Sequence, residues 1–169
     1  MVNLTNKERF LLEGEKYQQQ LAIDKYNNFS LQAADPILKT IFSNLSEIEE
    51  NHLNMVNEML QGRIPQINTQ NLHPYYTNTS SLSNEYLNIG NMTITSMDNS
   101  FDDGDKIICF DALTTEELLH STYSASSLEF EESEYKSILS KIIDDKKNSL
   151  QYLNDYMIKK GMYNNTIYF

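Results

Sequence analysis

The two halves of this chain repeat each other at an offset of 97 residues, and each half is built from long runs with helical periodicity. The shift places Leu21 on Leu118, Tyr26 on Tyr123, Leu31 on Leu128 and Lys39 on Lys136. It also places Ile41 on Ile138, Ser43 on Ser140, Asn51 on Asn148, Leu53 on Leu150 and Asn57 on Asn154, all without a gap. The apolar phase follows: Phe10-Leu11 lie over Ile107-Ile108, and Phe42 over Leu139. A lone helical hairpin cannot bury the stripes of both its helices, so two related hairpins must pack on one another. The repeat therefore predicts an all-α fold, a four-helix bundle of two pseudo-twofold-related hairpins.

Punctuation in the sequence divides the chain. Thr5-x-x-Glu8 is a capping box that opens the first helix. Phe10, Leu11, Leu21, Phe29, Leu31 and Ala33 are read as its core stripe, and Gly14 weakens it by about 1 kcal/mol without breaking it. Asp35-Pro36 restarts the chain, with Asp as cap and Pro at the first helical position. The second helix carries Ile37, Ile41, Leu45, Ile48, His52, Met55 or Val56, and Met59, and stops at Gly62 before Pro65. The first hairpin thus spans 5–62. The segment 63–104 is rich in Asn, Ser and Thr and reads as a crossover along the bundle, with a short strand or turn between Tyr86 and Ile94. The second hairpin spans 105–161. Its third helix runs from near Asp105 to about Glu131, and its fourth from an N-cap at Ser133 to Lys160, before Gly161. A short aromatic tail, 162–169, follows. All four helices belong to one domain.

Composition narrows the function. Five Gly and three Pro in 169 residues suit helices. A net charge of −11 argues against a nucleic-acid partner, which needs a basic surface. No apolar run approaches the roughly 20 residues of a membrane span, and the opening residues lack a secretory signal, so synthesis in a cytoplasm is expected. The one cysteine, Cys109, sits at an apolar helical position and reads as a buried, inert thiol. Tyr26, Tyr123, Tyr135, Tyr152 and Tyr156 read as helix-face packing residues. Tyr75, Tyr76, Tyr86, Tyr163 and Tyr168 fall in loop or tail, where they suit contacts with other chains.

One pair carries chemistry. Glu49 and His52 stand one turn apart on the second helix, the Glu-x-x-His pairing that carboxylate bundles use to hold iron or manganese. Glu15 is the candidate carboxylate of the first helix. Applying the 97-residue shift removes the other half of such a site: Glu15 maps to Ala112, Glu49 to Lys146 and His52 to Ser149. Glu116, His120, Asp144 and Asp145 reach it only through a change of register, and His120 reads as a packed or surface histidine bonded to Glu116. Three readings stand side by side: a working two-metal site, a single-metal remnant at Glu15, Glu49 and His52, and ordinary polar helix residues without cofactor. In the last, the Lys146 ammonium replaces the lost metal charge, since burying these carboxylates without a cation costs several kcal/mol.

The chain carries Leu4-Thr5-Asn6-Lys7-Glu8, Glu15-Lys16-Tyr17, Tyr26-Asn27-Asn28-Phe29, Asp35-Pro36-Ile37-Leu38-Lys39, His52 and the closing Lys160-Gly161-Met162-Tyr163. On these residues it resembles the Coat F family of endospore coat proteins. It implies a ferritin-like fold and a structural role in the spore coat, after synthesis in the mother cell. It also implies other coat proteins as partners, or further copies of the chain. It brings no catalytic residues. The competing reading is a ferritin-like metal-dependent oxidase, peroxide-handling or iron-storage protein using Glu15, Glu49 and His52.

Overall fold

The computed structural model describes residues 2–66 and 100–163, and the backbone of 88–89 and 92–93. Four long helices carry the fold: α1 (Asn6–Gln32), α2 (Pro36–Leu60), α3 (Asp103–Ser127) and α4 (Ser133–Lys159). Between α2 and α3, β1 (Asn88–Ile89) pairs antiparallel with β2 (Met92–Thr93), Asn88 opposite Thr93. These four residues lie inside the stretch where the sequence predicts a strand or turn. The loop tyrosines Tyr75, Tyr76, Tyr86 and Tyr168 lie outside the described residues.

The helix starts obey the 97-residue offset. Thr5 caps α1 and Asp102 caps α3; Asp35 caps α2, and Glu132 holds the corresponding place before α4. Thr5 and Glu8 form the full capping box. Ser133 is the first helical residue of α4, with Glu132 before it in extended backbone, so the cap falls one residue earlier than expected. The helix ends are alike too. Gly62 (φ 72°) and Gly161 (φ 68°) take the left-handed conformation that favours glycine. Beyond them, Arg63 N–H donates to Glu58 O and Met162 N–H to Met157 O, which satisfies carbonyls left open at each end.

Side-chain bridges fix the directions. Glu8, early in α1, accepts from Glu131 N–H in the α3–α4 turn at 3.2 Å. Asp105, early in α3, accepts from Ala34 and Asp35 N–H in the α1–α2 turn at 2.7 and 2.9 Å. The same offset relates these two bridges, so α1 and α3 run antiparallel, each start tied to the other hairpin's turn. Tyr156 near the end of α4 donates to Asp35 at 3.0 Å, and Lys160 pairs with Asp35, while Tyr135 near its start donates to Met59 O. α2 and α4 are therefore antiparallel as well, and α2 and α3 parallel. The chain must return about 37 Å, at 1.5 Å per residue, to start α3 beside the start of α2. That return is why the connection is long.

The core falls on matched positions. Leu38, Ile41, Phe42, Leu45, Val56 and Met59 on α2 are buried, as are Tyr135, Ile138, Leu139, Ile142, Leu153 and Tyr156 on α4. The choice between Met55 and Val56 falls to Val56. In α1 the structure corrects the predicted stripe. Phe10, Leu21 and Leu31 are exposed, and the buried face is Glu8, Leu12, Glu15, Gln19, Ala22, Ile23 and Tyr26. Counting apolar residues picks the wrong side here, because three members of the inward row are polar. α3 ends at Ser127, earlier than expected, and the chain then inserts Phe130 into the core.

Candidate functional site

At mid-height the four inward rows present polar groups to one another. α1 contributes Gln19, α2 Glu49 and His52, α3 Glu116, and α4 Asp145, Lys146 and Ser149; all are buried. The offset again pairs them: Gln19 with Glu116, Glu49 with Lys146, His52 with Ser149.

Lys146 Nζ is bonded to Glu49 Oε2 and lies 3.7 Å from Glu116 Oε2, with no solvent exposure on any of the three side chains. Gln19 Nε2 donates to the same Glu49 oxygen. Two tyrosines complete the ring symmetrically. Tyr26 donates to Glu116 Oε1, and Tyr123, its counterpart at the offset, donates to Gln19 Oε1 at 3.2 Å. His52 sits beside this group. Its Nε2 donates to Asp145 Oδ2 at 3.1 Å, its Nδ1 lies 3.5 Å from Glu49 Oε2, and Lys141 in turn bonds Asp145 from the rim.

The two carboxyls next to Lys146 are pushed in opposite directions. Burial alone raises Glu49, but the Lys146 ammonium and His52 outweigh it and hold the group down at about 2. Burial raises Glu116 to about 7; Lys146 pulls it down while the charge on Glu49 pushes it up. One ammonium therefore holds one carboxylate ionised, while the second takes up a proton more readily than an ordinary carboxylate. Burial disfavours charge on His52, but its bonds to Asp145 and Glu49 prevail and raise it.

Glu15 stands apart from this group. It is buried, and burial lifts it to about 7, with the Ser126 hydroxyl pulling the other way. The α1 side chain that meets Glu49 is Gln19, one turn further on. The sequence reading admits Glu116 only through a change of register, because it starts from Glu15, which maps to Ala112; the structure brings Glu116 in with no such change. The offset itself held the signal: Gln19 and Glu116 are partners under the shift that also pairs Glu49 with Lys146. Glu116 bonds Tyr26, not His120. Asp145 also enters, through His52.

Glu49, His52 and Glu116 are donor types that suit iron or manganese, but a fixed ammonium lies between the two carboxylates. A second cation there would meet an unscreened positive charge. Among the described residues, no three His, Cys, Asp or Glu side chains are grouped so as to hold a metal ion. The residues present do not fit a metal in this arrangement. Cys109 is buried, and burial with Asp105 and Asp35 nearby pushes its thiol to about 12, well outside the reactive range. Tyr163 does not extend outwards: it donates to Asn154 at 2.7 Å and packs edge-on against Phe110.

No helix among the described residues is long and apolar enough to cross a membrane. No curated protein and no solved structure matches the chain. The family model of the Coat F domain matches residues 104–166, which take in α3, α4 and the Lys160-Gly161-Met162-Tyr163 ending but not the first-hairpin motifs. Over those residues the chain matches the Coat F domain, the family it resembles in sequence, and the match points to a component of the spore coat.

Proposed function

We propose that this protein is a structural component of the endospore coat that assembles through protein–protein contacts, and that its bundle core is a former metal pocket closed by an internal ammonium. The Coat F match over residues 104–166 supports the coat role. The single observation that carries the structural reading is Lys146, fully buried against Glu49 and facing Glu116. A charged lysine in a bundle core is stable only when it is paired; here it supplies the cation that carboxylates on facing helices require. Glu15, Glu49 and His52 are then inherited polar positions serving the fold, and the protein is synthesised in the mother cell before joining the coat.

Two measurements test this. Protein purified without chelator is expected to contain Fe and Mn far below one equivalent. Stoichiometric metal that disappears in His52→Ala would restore the oxidase or storage reading. A fluorescent fusion is expected in sporulating cells and in the purified spore fraction. Uniform signal in vegetative cells would remove the coat role.

A further inference from the structure

Seven of the ten large apolar side chains that stand exposed among the described residues lie on α1 and α3, and none lies on α2. On α1 they include Phe10, Tyr17 and Leu21, spaced i, i+7 and i+11, hence one stripe. On α3 they include Ile107 and Leu118, spaced i and i+11, while Phe110 is taken up by Tyr163. Phe10 is 78% and Tyr17 68% exposed, values that leave nearly the whole ring in water. The two helices are neighbours, since Lys25 on α1 bonds Asp111 and Thr115 on α3 at 2.9 Å. The stripes also obey the offset, Phe10 over Ile107 and Leu21 over Leu118, so the apolar outer face recurs in both halves. It does not serve the bundle, whose core lies on the opposite side of each helix.

Charge selects what covers it. Exposed acids stand among the apolar residues: Glu13 between Phe10 and Tyr17, Asp24 one turn past Leu21, Asp103 one turn before Ile107, and Glu117 beside Leu118. Among the described residues none of these four stands in an ion pair; Lys16 lies one turn after Glu13 without bonding it. Lys25 is committed to Asp111, and Lys7 to Glu129. Arg9 donates to Leu60 O, and Lys106 lies over the Phe101 ring at 5.4 Å. A second copy would bring the same acids against these, an unfavourable pairing. We propose that the groove between α1 and α3 binds a basic amphipathic helix of another protein, its apolar row against the stripes and its lysines or arginines against Glu13, Asp24, Asp103 and Glu117. This rests on the assembly reading above and supplies the chemistry of the partner.

The test uses the full chain and two synthetic amphipathic helices with the same leucine pattern, one with lysine and one with glutamate on the polar face, titrated by calorimetry. The lysine peptide is expected to bind, and the glutamate peptide not. Leu21→Ser with Leu118→Ser is expected to weaken binding by about tenfold or more. Glu13→Gln with Glu117→Gln is expected to weaken it and to flatten its salt dependence. Ile158→Ser, an exposed apolar site on α4, is the control and leaves affinity unchanged. Unchanged helicity by circular dichroism shows that each variant still folds. Equal binding by the Leu21/Leu118 variant, or equal binding of both peptides, overturns the proposal. So does light scattering that finds a dimer which the same double variant dissolves, since the occupant is then a second copy. None of these failures removes the protein from the spore fraction, so the coat role is judged separately.

Discussion

Lys146 decides the energetics of the core. It is buried with no exposed surface, and its removal strands Glu49 as a buried charge with only Gln19 and His52 beside it. Lys146→Met is therefore expected to destabilise the protein by about 3–5 kcal/mol in urea unfolding, whereas Lys146→Met combined with Glu49→Gln recovers most of that loss. If the double variant is as unstable as the sum of the singles, the pair is not the unit. The protonation pattern makes a second prediction. Glu15 and Glu116, near 7 when folded against 4.5 unfolded, hold protons more tightly in the folded state. Their contribution to stability grows as pH falls from about 7 towards 4.5 and shrinks on the way back up. His52, raised above 6.5, acts in the same sense: its contribution is full below 6.5 and is lost as pH climbs through the folded value. The melting temperature is thus expected to be higher at about pH 5.5 than at about pH 8, and Glu15→Gln with Glu116→Gln should flatten that slope. Glu49 works at the other end, and its support is lost only as pH falls towards 2.

Helix ends are where the two hairpins are joined. Asp105 accepts two backbone N–H groups from the α1–α2 turn, and Glu8 accepts from the α3–α4 turn while closing its own capping box. Asp105→Ala leaves both turn N–H groups without their partner and is expected to cost about 2 kcal/mol in thermal unfolding. Thr5→Ala loses only a cap, about 1 kcal/mol. If Asp105→Ala cost no more than Thr5→Ala, the bridge would be a crystal-like courtesy of geometry with no energetic role. Both caps were readable: Thr5-x-x-Glu8 and Asp35-Pro36 are local signals, and local signals survive translation into structure. The bridges were not, because Glu8 and Asp105 look like ordinary acids of a first helical turn until the opposite hairpin's turn is brought beside them.

At the scale of the molecule, the fold is two copies of one hairpin that complete each other. The bridges, the tyrosine–carboxyl and tyrosine–amide bonds, and the Lys146–Glu49 pair all cross between hairpins. Peptides covering 1–66 and 100–169 are accordingly expected to show low helicity alone and to gain it on mixing, as read by circular dichroism; full helicity in either peptide alone would mean that each hairpin is self-sufficient.

The sequence by itself determined the four helices, the glycine stops of α2 and α4, the hairpin pairing and the offset of 97, since periodicity, caps and glycines act over a few residues and an internal repeat needs no coordinates; the end of α3, which has no glycine, it placed too late. Tertiary structure alone decided which face of α1 turned inward and which acid met the lysine. Phe10 and Leu21 lost the core because they stand opposite the row of Leu12, Ala22, Ile23 and Tyr26, and that row also carries Gln19, whose carboxamide meets the buried Glu49 carboxylate on the facing helix. Glu116 enters the sequence reading only through a change of register, yet it joins the ring without one: burial pushes its carboxyl up to about 7, while the Lys146 ammonium, thirty residues away in the chain and 3.7 Å away in space, pulls the other way.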